Sequence, residues 1–295
     1  MITRPTVLVL GAGASAQYGF PLGPGLRDAV CRSALDGSGA KAYSSEEQLQ
    51  YREFAERLRK SAYRSVDAFL EDFPTYVETG KRAIAWELIG CENEDRLFPP
   101  SSGASWYDLL AECLLSDGGL NAFGSNRLTI ITYNYDRSLE HYLTTVIANR
   151  KAWDYPSALQ ALSALPILHL HGKLGSLADR PYSTDRAQLS LAAQGIRIVH
   201  EADGTSDGFA KAQGAIEAAD RLYMFGFGYY SKNMERLGFT PRMEHRYRCK
   251  IWLGATGFTG PAWNALQTQY GIVPAFPEVG SHWGCLEGTR NLPWD

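Results

Sequence analysis

Three polar residues stand where short strand-like runs end: Asn134 and Asp136 in Thr132-Tyr-Asn-Tyr-Asp136, and His171 in His169-Leu-His-Gly172. A histidine serves as a base near neutral pH because its ordinary pKa is about 6.5. An asparagine orients a water or a ribose hydroxyl with one donor group and one acceptor. A carboxylate accepts from a carboxamide N–H2 and favours developing positive charge. Together these groups suit cleavage between an anomeric carbon and a cationic leaving group, such as the nicotinamide of oxidised NAD. That bond breaks through an oxocarbenium-like state, so a strong nucleophile is not required.

The dinucleotide is suggested by Val7-Leu-Val-Leu-Gly-Ala-Gly-Ala-Ser-Ala16. Gly11, Gly13 and Ala16 have the G-x-G-x-x-(G/A) spacing of a turn from a buried parallel strand into a helix. Glycine at the first two positions removes the Cβ atoms that keep a diphosphate off the backbone, and a following helix offers its unpaired N–H groups. Two plainer readings stay open. Glycine-rich turns after strands are common, and Asn-Tyr-Asp also suits a helix N-cap. His169, two residues before His171, is expected on the same face as structural support.

The elements that must carry these residues follow from pattern. Strands are expected at Thr6 to Leu10, Leu128 to Tyr133, Ile167 to Leu170, Arg221 to Phe225 and Lys250 to Leu253. Each ends in Gly, Asn, Asp, His or Ser, the last two at Gly226-Phe-Gly-Tyr-Tyr-Ser231 and Gly254-Ala-Thr-Gly257. Ligands of open α/β sheets bind outside the carboxyl ends of the strands, so these polar endings converge on one place. Gln17 to Leu26, with its glycines and prolines, reads as a loop, either a connector or a flap over the ligand. Helices are expected from Arg27 to Ala34, around Tyr51 to Leu58 and Val66 to Phe73, at Ala83 to Ile89, at Trp106 to Leu115, and from Arg137 to Ala148. Glu71 and Asp72 read as a solvated helix face. The fold class is α/β: a Rossmann-like parallel sheet flanked by helices, with residues 1–35 and 120–295 as its core and 36–119 as an inserted helical module.

Other chemistries fit less well. Ser15 lacks the second glycine of a G-x-S-x-G elbow, and no G-x-x-x-x-G-K-(S/T) loop is present. The five cysteines, Cys31, Cys91, Cys113, Cys249 and Cys285, are scattered without a C-x-x-C pair. No metal is therefore expected, and a reduced, cytoplasmic protein is. A dehydrogenase needs an acidic residue about 20 positions beyond the glycines at a second strand, but here a long helical stretch intervenes. The net charge of −3 gives no support for direct nucleic-acid binding. No run of about 18 apolar residues suggests a membrane span, and the immediate first strand leaves no room for a signal peptide.

Five motifs in order carry a family resemblance: Gly-Ala-Gly-Ala-Ser at 11–15, Gly19-Phe-Pro21, Thr132 to Asp136, His169-Leu-His-Gly172, and Gly226 to Ser231. In this the chain resembles the sirtuin-like, NAD-hydrolysing branch of bacterial anti-phage defence more than the protein deacetylases. The resemblance implies that Gly11, Ala12, Gly13 and Ser15 hold the NAD diphosphate. It implies that Asn134 and His171 serve cleavage and that Asp136 meets the nicotinamide end. Gly226, Gly228 and Ser231 would lie near the adenosine half, with Pro21 and Gly172 as further cofactor contacts. Two departures matter: there is no four-cysteine zinc module, and Pro21 is followed by Leu-Gly-Pro where deacetylases have Asp-Phe-Arg. The implied activity is hydrolysis of NAD to nicotinamide and ADP-ribose, switched on by homo-oligomerisation or a separately encoded partner. An NAD-dependent deacylase or ADP-ribosyltransferase, and a non-catalytic NAD or ADP-ribose sensor, remain the alternatives. The C-terminal stretch from Trp283 to Asp295 has no assigned role; its two tryptophans suit packing on the domain or a partner.

Overall fold

The computed structural model describes residues 1–100, 105–115, 123–198, 207–240, 250–253, 260–270 and 284–294. Five parallel strands form its sheet: β1 (Thr6–Leu10), β2 (Leu128–Thr132), β3 (Ile167–His169), β4 (Arg221–Phe225) and β5 (Lys250–Leu253). Their order is β3-β2-β1-β4-β5, so the chain reverses direction across the sheet between β1 and β4. Leu10 pairs with Thr132 on one side and Phe225 on the other, which brings three strand ends into line. This is the α/β, Rossmann-like parallel sheet expected.

β1 reads Thr-Val-Leu-Val-Leu because it is covered on both faces, and all five residues are buried. Alternation sends Val7, Val9, Ile131, Leu222 and Met224 into one core, and Leu8, Leu10, Ile130, Tyr223 and Phe225 into the other. Each such aliphatic side chain contributes about 1.5–3 kcal/mol by leaving water.

The helices are α1 (Gly23–Leu35), α2 (Glu47–Lys60), α3 (Val66–Asp72), α4 (Val77–Ile89), α5 (Glu94–Leu97), α6 (Trp106–Leu115) and α7 (Ser138–Lys151). They continue with α8 (Tyr155–Leu162), α9 (Leu189–Gln194), α10 (Asp207–Glu217), α11 (Ser231–Arg236), α12 (Gly260–Tyr270) and α13 (Cys285–Asn291). The helices between residues 36 and 119 share one continuous core with a face of the sheet, from Leu8 and Ile130 out to Phe54, Phe69 and Trp106. The opposite core is built with α10, α11 and α12, through Phe209, Met234 and Leu266.

Three local expectations change. α1 starts at Gly23, inside the stretch read as a loop, because Pro24 sits in its first turn, where a missing N–H costs nothing. α4 starts six residues early, at Val77; Gly80 lies within it so that Leu70 of α3 can approach. No α-helix follows the glycine turn directly. Two short 3-10 turns, Ala12–Ala14 and Ala16–Tyr18, stand there instead.

The described part of the C-terminus packs on the domain. Trp294 lies edge-on to Tyr223, 5.3 Å between ring centres, and Tyr223 Oη donates to Pro293 O at 2.5 Å. Gly254 to Gly257, Cys249 and Trp283 lie outside the described residues.

Candidate functional site

The ends of β1 and β4 meet backbone to backbone. Gly11 N donates to Phe225 O and Gly13 N to Gly226 O, both at 3.0 Å. A Cβ on Gly11 would stand 2.5 Å from Gly226 O, and one on Gly13 would stand 2.8 Å from Gly226 Cα. Gly226 has φ +58°, and a Cβ there would fall 2.1 Å from Ala14 N. The glycines are thus required by the contact between the two turns. The N–H groups of Ala14 and Ser15 are also spent, on Gly11 O and Ala12 O. Four amides of the turn, those of Gly11, Gly13, Ala14 and Ser15, are thus engaged within and between the two turns.

Asn134 ties the end of β2 to this turn. Its Nδ2 donates to Gly11 O at 3.0 Å and to Ser15 Oγ at 3.2 Å, while its N–H donates to Thr132 Oγ1 at 3.0 Å. Its Oδ1 has no partner among the described residues, which leaves an acceptor for a water or a ribose hydroxyl. Ser15 is buried and bonds both Asn134 and Asp136. Asp136 is buried as well; its Oδ1 accepts from Ser138 N at 3.1 Å and from Ser138 Oγ at the start of α7. Burial pushes the Asp136 carboxyl up, against the lowering effect of the Ser138 and Ser15 hydrogen bonds. Tyr107 of α6 closes the network from the helical segment, its hydroxyl 2.8 Å from Ser138 Oγ. Trp106 Nε1 donates to Ala14 O at 2.8 Å, bracing the glycine turn itself.

The two histidines part company. β3 ends at His169, so side-chain alternation stops there and the expectation of one shared face fails. His169 turns toward α7: Nδ1 lies 3.0 Å from Asn134 O and Nε2 lies 2.8 Å from Glu140 Oε1. Both ring nitrogens thus stand within hydrogen-bond distance of an oxygen. Burial would raise the Glu140 carboxyl, but His169 and Lys173 outweigh it and hold that group down at about 2. A cavity of about 10 Å³, room for one water, lies among Ser15, Thr132, Asn134, Asp136, Glu140 and His169.

His171 turns the other way, toward α10. Its ring centre is 5.3 Å from Tyr133, 6.3 Å from Phe209 and 6.4 Å from Tyr135. The side chain is buried, and Nε2 has no hydrogen-bond partner. Burial pushes its pKa down, with Asp67 pulling it up and Arg236 pressing it down further. The backbone is pinned: Arg197 N donates to His171 O at 2.8 Å, and Gly172 takes φ +71° where a Cβ would strike Gly195 O.

The remaining residues named from sequence scatter more widely. Ala12 and Pro21 are half-buried near the first turn, and Gly228 is exposed. Ser231 is exposed at the start of the six-residue α11. Sequence reading missed the contributions of the helical segment. Asp67 of α3 accepts from the Tyr135 hydroxyl, and Glu71, set aside as a solvated face, pairs at 2.8 Å with Lys232 of α11. It also missed Glu92, fully buried and bound by Arg137 through two nitrogens, at 3.0 and 2.8 Å, and by Arg180. That cluster fastens the segment after Gly172 to the helical module, since Arg137 Nη1 also donates to Arg180 O at 2.7 Å. Nothing in the local pattern marks these residues, because each pairing spans more than 40 positions.

Among the described residues, no three His, Cys, Asp or Glu side chains converge as metal ligands, and no helix is long and apolar enough to cross a membrane. No protein-family model, curated protein or solved structure compared with the chain matches it.

Proposed function

We propose that the protein is an NAD glycohydrolase of the sirtuin-like kind, releasing nicotinamide and ADP-ribose. One observation carries this reading: a buried histidine with an unpaired Nε2 just past β3 and an asparagine with a free acceptor just past the neighbouring β2, both at the carboxyl end of a parallel sheet. A buried polar atom without a partner costs stability and is retained where a ligand or a reaction uses it. Burial lowers the proton affinity of His171, so it is neutral and able to accept a proton at neutral pH.

The reaction assigns each residue one task. Asn134 Oδ1 accepts from the attacking water or from a ribose hydroxyl and so fixes its direction. The water oxygen bonds to the anomeric carbon as the carbon–nitrogen bond breaks, its electron pair going to the nicotinamide nitrogen. The water's proton passes to His171. Ser15, Asp136 and Tyr107 hold Asn134 and the turn in register.

The sirtuin-like reading extends to an anti-phage effector switched on by self-assembly or by a separately encoded partner. The deciding experiment is nicotinamide release from NAD over a protein concentration series, with His171→Ala alongside. Release that rises faster than linearly and vanishes in the variant supports an assembly-switched hydrolase. NAD binding without release at any concentration, with or without candidate partners, defeats the catalytic reading and leaves a sensor.

A further inference from the structure

Among the described residues no carboxylate bonds His171: Asp136 and Glu140 are committed to Ser138 and His169. The acidic groups that act on the imidazole come from α3, which lies in the helical segment far earlier in the chain. Asp67 accepts a hydrogen bond from Tyr135, and the Tyr135 ring stands edge-on to His171 at 81°. Glu71, one turn on, is occupied by Lys232 at 2.8 Å, so its charge is largely offset.

We propose that Asp67 is the positioning residue for His171, holding the imidazole in place through the Tyr135 ring to which it is hydrogen-bonded. This rests on the reading of His171 as the general base. When a base takes a proton it becomes a cation in a desolvated site, and a fixed carboxylate favours that change. α3 is rigid enough for the task. Ser65 Oγ caps it by accepting from Ala68 N at 3.2 Å, and Val66, Phe69 and Leu70 are fully buried. Among the described residues the other groups near His171 are the Tyr133 hydroxyl, which donates to Asn233 O at 2.9 Å; Arg236 of α11, whose charge opposes Asp67; and the uncharged ring of Phe209. The helical segment therefore contributes a wall of the site as well as a scaffold.

The test is the proton NMR titration of the His171 ring in the full chain, compared with Asp67→Asn, which keeps an acceptor for Tyr135 but removes the charge. The His171 midpoint is expected to fall by about one pH unit. The acid limb of the pH–rate profile for nicotinamide release should move to lower pH by the same amount. A folded Asp67→Asn chain with an unmoved midpoint overturns the proposal. Should that variant not fold, Tyr135→Phe cuts the tether while keeping ring and charge; kcat is then expected to drop about tenfold with KM unchanged. An unchanged kcat in Tyr135→Phe overturns it equally. A wild-type chain that never releases nicotinamide defeats the glycohydrolase reading instead, and the titration still decides the place of Asp67.

Discussion

Two polar regions flank the same strand ends, one toward α7 and one toward α10, centred on histidines two residues apart in sequence, and they are built on opposite rules. On the α7 face, His169, Glu140, Lys173, Asn134, Ser15, Asp136 and Ser138 bond one another, with both ring nitrogens of His169 engaged. On the α10 face, His171 sits among aromatic rings with a buried nitrogen that nothing bonds. A nearly saturated network in a low-dielectric interior holds its members still, and an unsaturated one stores the capacity to bind or to take a proton. On the proposed reading the first region holds Asn134 in place and the second carries the base.

The sharpest way to break this contrast is His171→Ala. Nicotinamide release should fall by about 10³-fold or more, while stability falls only through the cavity left among the aromatic rings, since no hydrogen bond is lost. Asn134→Ala should give a comparable loss of activity and, unlike His171→Ala, should also break two bonds to the glycine turn. Calorimetry beside the nicotinamide assay separates the two.

Next in size is Gly226→Ala. A Cβ 2.1 Å from Ala14 N, at φ +58°, forces the two turns apart. Denaturant unfolding should show a loss of about 3 kcal/mol or more. A near-neutral result would show that the β1 and β4 turns yield easily and are not the rigid floor of the site.

Acidification tests both faces at once, in separate windows. His171 is held below its ordinary pKa, so the native state takes up fewer protons than the unfolded chain and stability falls as pH drops below about 6.5. Glu140 is held at about 2 against an ordinary 4.5, so its contribution is full above 4.5 and is lost as pH falls toward 2. His171→Ala should remove the first window and leave the second. Glu140→Gln should flatten the second and cost about 2–3 kcal/mol near neutrality. The smallest effect is expected from Glu71→Gln, because Lys232 is largely exposed; unfolding should shift by less than about 1 kcal/mol.

Much of this was legible in the chain. β4, β5 and α6 fall at the residues expected, and β1 is where a buried run of Val and Leu enters a glycine turn. Asn134 and His171 were marked because polar residues at the ends of hydrophobic strands have few other reasons to be there. The start of α1 was hidden by Pro24, and that of α4 by Gly80, since both residues are usual signs of a break and are tolerated here for reasons of position and packing.

Local chemistry therefore accounts for the strands, most helices, the glycine turn and the choice of Asn134 and His171 as candidates, because each depends on neighbours a few positions away. Three things depended on the folded chain: which way each histidine faces, what the glycines touch, and which acidic residue meets Tyr135. His169 and His171 diverge because β3 stops between them. Gly11 and Gly13 are needed because Gly226, more than 200 residues later, packs against them. Asp67 meets Tyr135 across 68 positions. Side-chain direction beyond a strand end and contacts between distant segments are set by packing, and no local pattern encodes them.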